Sequence, residues 1–137
     1  MLLARLTLMI GRKYLLDTVV IIAYFNQDDA VRQRLLNATV YTSSIVLGEL
    51  YFGAYHSGKI AQNIARIQHF ATLIDVLPCD DETSVYFGEI KQHLKAKGRP
   101  IPENDIWIGA TARQYGLTIA TRDAHFQDVD DLSTDTW

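Results

Sequence analysis

Four acidic residues stand out by their surroundings: Asp17 in KYLLDTVVIIAYF, Glu49 in SSIVLGELYFGAY, and Asp105 and Asp123 in NDIWIGATARQYGLTIATRD. An ionised carboxylate among apolar side chains is costly unless it is paired or solvated. Asp17 follows Tyr14, Leu15 and Leu16 and precedes a run from Val19 to Ala23, so it needs a partner or an opening to solvent. Glu49 is the only acid between Val31 and Leu73. If the four share one rim, their like charges raise one another's pKa values unless a cation is present. Oxygen donors without Cys or His ligand spacing suit a hard divalent ion, Mg²⁺ or Mn²⁺. The chemistry that fits is metal-assisted hydrolysis of a phosphodiester, with the ion activating water and stabilising charge on phosphate.

The elements that must position these acids alternate between short apolar runs and helical periodicity. That pattern predicts an α/β domain with a mainly parallel sheet of four or five strands. Residues 13–16 read as a first strand, 18–25 as a helical turn leaving it, and 28–37 as a short helix. A second strand over 38–44 ends in hydroxyl residues suited to cap a helix from about Ile45 to His56. Ile60, Ile64, Ile67, Ala71 and Ile74 mark an amphipathic helix over 59–74. DVLPCD is a third short strand or edge segment, and Asp80 or Asp81 starts a helix to about Lys97. Asn104 is placed to cap a helix over 105–115, with Gly116 at its left-handed end. LTIAT, 117–121, reads as a buried strand, and the tail to Trp137 as a last edge strand.

These elements bring the acids together. Asp17 ends the first strand, where ligands bind in open parallel sheets. From Asp105 a helix runs roughly 16 Å one way, and the strand before Asp123 returns roughly 20 Å the other way. Both carboxylates therefore come back to the edge carrying Asp17, and Glu49 lies little more than one turn into a helix that starts there. Taken singly, Asp105 could be a first-turn helix acid and Asp123 a turn residue. Only the constellation is informative.

Composition narrows the class. The 137 residues fit one domain, 1–137, with 1–12 as an N-terminal extension or Met9 as the start. Hydrophobic content of 48% with 21% charged residues describes an ordinary globular chain. The apolar runs of the N-terminus are too short to span a bilayer. The single cysteine, Cys79, favours a reducing cytoplasm and reads as a small buried hydrophobe. Net charge is −3, so no overall basic footprint advertises nucleic-acid binding. Basic residues do gather in KQHLKAKGR, where Lys91, Lys95, Lys97 and Arg99 approach the acidic rim through the loop before Asp105. Lys95, Lys97 and Arg99, with Arg122, are candidate contacts to the phosphates of a phosphodiester substrate, RNA if the resemblance given below holds. His56, His69, His93 and His125 share no ligand spacing; His125, close to Asp123, could hydrogen-bond near the site, though solvation is the first expectation.

LLDTVVII, SSIVLGELYFGA, IPENDIWIGATARQYGLTIATRD and the closing HF resemble the PIN-domain ribonucleases, specifically the VapC-like toxins of bacterial toxin–antitoxin pairs. The resemblance runs from about residue 13 to 130. It implies a three-layer α/β/α fold and a Mg²⁺- or Mn²⁺-dependent endoribonuclease, with Asp17, Glu49, Asp105 and Asp123 as the catalytic acids and metal ligands. Thr18 and Thr121 match hydroxyls beside the metal site. The family also implies a homodimer held inactive by a cognate antitoxin. One position departs: where the family commonly reads Asp-Thr-Asn, this chain has Asp17-Thr18-Val19.

The competing readings fit less of the chain. A PIN-like interaction module with little turnover has only Val19 in its favour. A HAD-like phosphatase wants a second Asp two positions after the first, where Val19 stands, and a receiver domain wants a Lys where the last core strand reads Thr-Arg-Asp.

Overall fold

A computed structural model describes residues 12–137. The possible N-terminal extension, apart from Arg12, and the alternative start at Met9 lie outside the described residues. β1 (Lys13–Leu16) carries three consecutive buried side chains, Tyr14, Leu15 and Leu16, as a strand covered on both faces does. α1 (Thr18–Phe25) follows at once, two turns of helix over the residues read as helical from sequence. α2 (Asp29–Leu35) is capped by the Asp28 side chain, which accepts from the Val31 N–H.

β2 (Thr39–Ser43) leads directly into α3 (Ser44–Tyr55), with the Ser43 hydroxyl accepting from the Val46 N–H. α4 (Ile60–Leu73) buries Ile67 and Phe70, so Phe70 joins the buried face and Ile60 remains exposed. β3 (Asp75–Leu77) is short. α5 (Asp81–Lys97) starts from an Asp80–Thr83 capping box, in which side chain and backbone exchange hydrogen bonds, and ends at left-handed Gly98.

α6 (Glu103–Tyr115) begins two residues earlier than the sequence pattern suggests. Pro102 occupies the cap position with an extended ψ of 142°, and no side chain caps the helix there. The proline ring presets the φ that a helix start needs, so Asn104 falls inside the first turn and does not cap. β4 (Thr118–Thr121), a 3₁₀ turn (Ala124–Asp128) and β5 (Thr134–Thr136) complete the chain.

The five strands form one parallel sheet in the order β3-β2-β1-β4-β5. Helices cover it in an α/β/α arrangement. One core cluster joins the strands to α1–α4 through Val20, Ile21, Val31, Val46, Leu50 and Ile67, and to α6 through Ile108 and Ala112. A second holds α5 against α6 through Ile90, Leu94, Ile106 and Ala110. Cys79 is exposed, contrary to its reading as a core residue: it stands in the loop after Pro78, between β3 and α5. Among the described residues no helix is long and apolar enough to cross a membrane.

Candidate active site

Strand order determines where the acids meet. From β1 the chain builds β2 and β3 to one side, then crosses to place β4 and β5 on the other. Such a reversal leaves a crevice at the carboxyl ends of the two central strands, the usual ligand position in an open parallel sheet. Asp17 follows β1 directly, and Asp123 lies just beyond β4. Leu16 pairs in register with Ala120, which makes the next positions, Asp17 and Thr121, neighbours.

Asp17 is 5% exposed, and each of its oxygens accepts one hydrogen bond. Its Oδ1 accepts from the Thr18 N–H at 2.8 Å, capping α1, and its Oδ2 accepts from the Thr121 hydroxyl at 2.7 Å. The same Thr121 oxygen accepts from the Asp123 N–H at 2.9 Å. One hydroxyl thus ties the two strand-end acids together. Glu49 enters from the second turn of α3, and its Oε1 accepts from the Thr18 hydroxyl at 3.0 Å. Thr18 and Thr121 therefore each touch an acid.

Asp105 sits in the first turn of α6, 9% exposed, where the helix end favours negative charge. The His125 Nδ1 lies 3.1 Å from Asp105 Oδ2 and 3.1 Å from Asp123 Oδ1. Ligand atoms of Asp105, Asp123 and His125 all fall within 4.8 Å of one another. His125 is half-exposed but not merely solvated, which corrects the sequence expectation. Its backbone N–H also donates to Asp123 Oδ1. Fully buried Phe126 anchors the 3₁₀ turn that holds the imidazole there.

The charges are under strain. Burial raises the Asp17 pKa, outweighing the lowering effect of its bonds to Thr121 and Thr18; the Asp123 charge adds to the rise. Burial also raises Glu49, with smaller upward contributions from Asp17 and Asp105. Asp105 is raised by burial and by Asp123 and Asp17, against the His125 hydrogen bond. His125 is raised in turn, first by its hydrogen bond to Asp105 and then by the Asp123 charge. Asp28 makes the contrast: half-buried and paired with Arg122, its carboxyl is held below the ordinary range.

Among the described residues, Asp105 Oδ1, Asp123 Oδ2 and Glu49 Oε2 accept no hydrogen bond. Crowded acids with open oxygens, and a single imidazole for countercharge, form a donor set able to hold a divalent cation. Val19 is 46% exposed on α1.

The basic residues chosen from sequence are mostly engaged elsewhere. Lys97 pairs with Asp130 at 2.6 Å, Arg99 with Asp128 at 3.9 Å, Arg122 with Asp28 at 2.9 Å, and Lys91 with Glu103. Lys95 has no ion pair among the described residues and lines a cleft beside the start of α6 with Ile101 and Glu103. Sequence reasoning ranked His125 too low and missed Arg66. The Asp123-Ala124-His125 spacing was a signal for His125. Arg66 is exposed on α4 and shares a cleft with Glu49, but nothing in sequence distinguishes it from a solvated helix face.

The chain matches the PIN domain family over residues 14–132. It is 36% identical over 129 residues to the tRNA(fMet)-specific endonuclease VapC of Shigella flexneri, covering 91% of this chain and 98% of that protein. It is 34% identical, with the same coverage, to ribonuclease VapC2 of Haemophilus influenzae. Among solved structures it superposes on DNA-bound VapBC from Salmonella typhimurium with a TM-score of 0.85 at 30% identity, covering 92% of this chain and 98% of that one. VapBC2 from Rickettsia felis, bound to a DNA fragment from its promoter, gives 0.84 at 28% identity, covering 91% and 98%. The fold, the crevice between β1 and β4 and these relatives agree: the chain belongs to the PIN-domain family and, within it, to the VapC proteins.

Proposed function

We propose that this chain is a divalent-metal-dependent endoribonuclease that acts as the toxin of a toxin–antitoxin pair. The observation that carries the reading is the cluster of Asp105, Asp123 and His125 at the β1–β4 crevice, with Asp17 joined to Asp123 through Thr121 and Glu49 tied to the end of β1 through Thr18. The relatives named ribonuclease or endonuclease support RNA as the substrate.

Asp17, Asp105 and Asp123 are the residues to hold the ion, with Mg²⁺ favoured by the oxygen donors and Mn²⁺ the alternative. Such an ion, when bound, supplies Lewis acidity at a phosphate and lowers the pKa of water. Glu49, raised by burial and neighbouring charge, has Oε2 free to take a proton from the attacking water. Thr121 fixes Asp17, and Thr18 holds the other Glu49 oxygen. Lys95 is the candidate phosphate contact not already in an ion pair, while Lys97, Arg99 and Arg122 would have to exchange carboxylates for phosphate.

A cognate antitoxin and a second copy of the chain are the proposed partners, and the VapBC complexes among the structural neighbours support the first. Leu36 and Leu73, 75% and 68% exposed, line an apolar cleft of about 430 Å³ with Tyr24 and Phe70, surface that an assembly would cover. End-group analysis of cut RNA tests the chemistry. Water attack leaves linear monophosphate ends; 2′,3′-cyclic phosphate ends would overturn the metal-assisted hydrolysis.

A further inference from the structure

Beside the acids, α3 presents a surface that the proposed hydrolysis does not use. A cleft of about 580 Å³ is lined by Thr18 and Glu49 at one side, by Ser44, Gly48 and Phe52 along α3, and by Asn104 from the start of α6. Phe52 is 66% exposed, and the His56 ring lies 4.2 Å from it, centroid to centroid. Asn104 and Ser44 are exposed, and neither side chain makes a hydrogen bond among the described residues. Asn104 is the residue expected to cap α6, and the start of that helix at Glu103 frees its amide.

We infer that this cleft binds one unpaired nucleobase of the RNA substrate, stacked on Phe52 and read at its edge by Asn104 and Ser44. The inference rests on the ribonuclease reading of the adjacent acids. Among the described residues no lysine or arginine lines the cleft, and Glu49 borders it, so it is unsuited to a phosphate. A base is flat, neutral and rimmed with donors and acceptors. Sequence-specific RNA recognition splays such bases onto aromatic rings and bonds their edges to amides and hydroxyls. The Asn104 amide offers both a donor and an acceptor.

Gly48 fits the same role. Glycine inside a helix is unfavourable relative to alanine, yet a Cβ added at Gly48 meets nothing within 4 Å. Close packing therefore does not require the glycine. Its absent side chain keeps the floor open between Ser44 and Phe52, one helical turn to either side. Because Thr18 and Glu49 belong to both places, a base in the cleft lies next to the phosphate at the acids.

Cut sites of the full-length chain, wild type and variants, are mapped with Mn²⁺ on single-stranded RNA of randomised sequence. Wild type is expected to prefer particular bases at one position beside the cut. Phe52→Ala should flatten that preference and raise KM by about tenfold, since stacking on an aromatic ring contributes on that order, with kcat little changed. Phe52→Tyr should restore it, and Gly48→Leu should reproduce Phe52→Ala by filling the floor. Unchanged preference and KM in both Phe52→Ala and Gly48→Leu overturns the inference. A parallel arm measures fluorescence anisotropy of a ten-nucleotide RNA and of abasic versions, with Ca²⁺ as the only divalent ion. Removing one base should cost wild type about tenfold in affinity and Phe52→Ala nothing further; equal losses in both overturn the base site. If wild type cuts no RNA, the nuclease reading has failed on its own, and the anisotropy arm still decides the cleft.

Discussion

The Thr121 hydroxyl donates to Asp17 Oδ2 at 2.7 Å and accepts from the Asp123 backbone, joining two acids that leave neighbouring strands. The register of β1 on β4 makes this contact automatic, and it fixes the carboxylate of the most buried acid in the crevice.

Thr121→Val removes that donor while keeping shape. Loss of an outer hydrogen bond to a metal ligand typically weakens affinity by about 10- to 100-fold. Stability should fall by about 1 kcal/mol for the bond. Calorimetric titration with Mn²⁺ and thermal melts measure both; Thr121→Ser should stay near wild type in each. A Thr121→Val protein binding Mn²⁺ as wild type does would remove Thr121 from the site.

Asp17→Asn should separate stability from function. Because burial raises the Asp17 pKa, the folded protein keeps that proton to higher pH than the unfolded chain. Ionising Asp17 therefore costs stability as pH rises from the ordinary carboxylate range through the raised value. In EDTA, Asp17→Asn should match wild type at low pH and gain on it toward neutrality. Melts in a pH series check the sign. With Mn²⁺ present the order should reverse, since only wild type gains from the ion.

His125 should titrate above an ordinary imidazole in metal-free protein, because its proton is shared with Asp105 and Asp123. Its contribution to stability is present below the ordinary histidine pKa and is lost as pH rises through the raised one. Imidazole chemical shifts followed by NMR against pH read this directly. Asp105→Asn should move the midpoint down; an unmoved midpoint would mean that the 3.1 Å contact does not persist in solution.

Lys95→Glu should weaken RNA binding and reduce its salt dependence by about one counterion, because Lys95 has no competing ion pair among the described residues. Lys97→Glu also breaks the exposed pair with Asp130, a contact worth about 0–1 kcal/mol to folding. Anisotropy of labelled RNA across a salt series distinguishes them. An unchanged slope for Lys95→Glu would exclude it as a phosphate contact.

Much of the site could be read before any coordinates. Apolar runs and helical periods located the strand ends, and parallel connection alone returned Asp17, Asp105 and Asp123 to one edge. Glu49 followed because its helix leaves a strand at that same edge. The misses have local causes. Pro102 starts α6 ahead of Asn104, a competition between proline and an amide that composition does not resolve. Cys79 behaves as a loop residue because Pro78 precedes it and Asp80 must cap α5. His125 reaches two acids only because the 3₁₀ turn, pinned by Phe126, folds back over the crevice. The ion pairs of Lys97 and Arg122 join residues far apart in sequence, so periodicity could not show them.

The most direct measurement is cleavage of single-stranded RNA by the purified chain with Mg²⁺ or Mn²⁺, beside Asp105→Asn shown by circular dichroism to be folded. Wild type should cut with either ion and stop when EDTA is added. Asp105→Asn should lose at least about 100-fold in rate, as removal of charge from a metal centre implies. RNA left whole by wild type with both ions, or cut equally well by Asp105→Asn or in EDTA, would contradict a metal-dependent ribonuclease built on these acids.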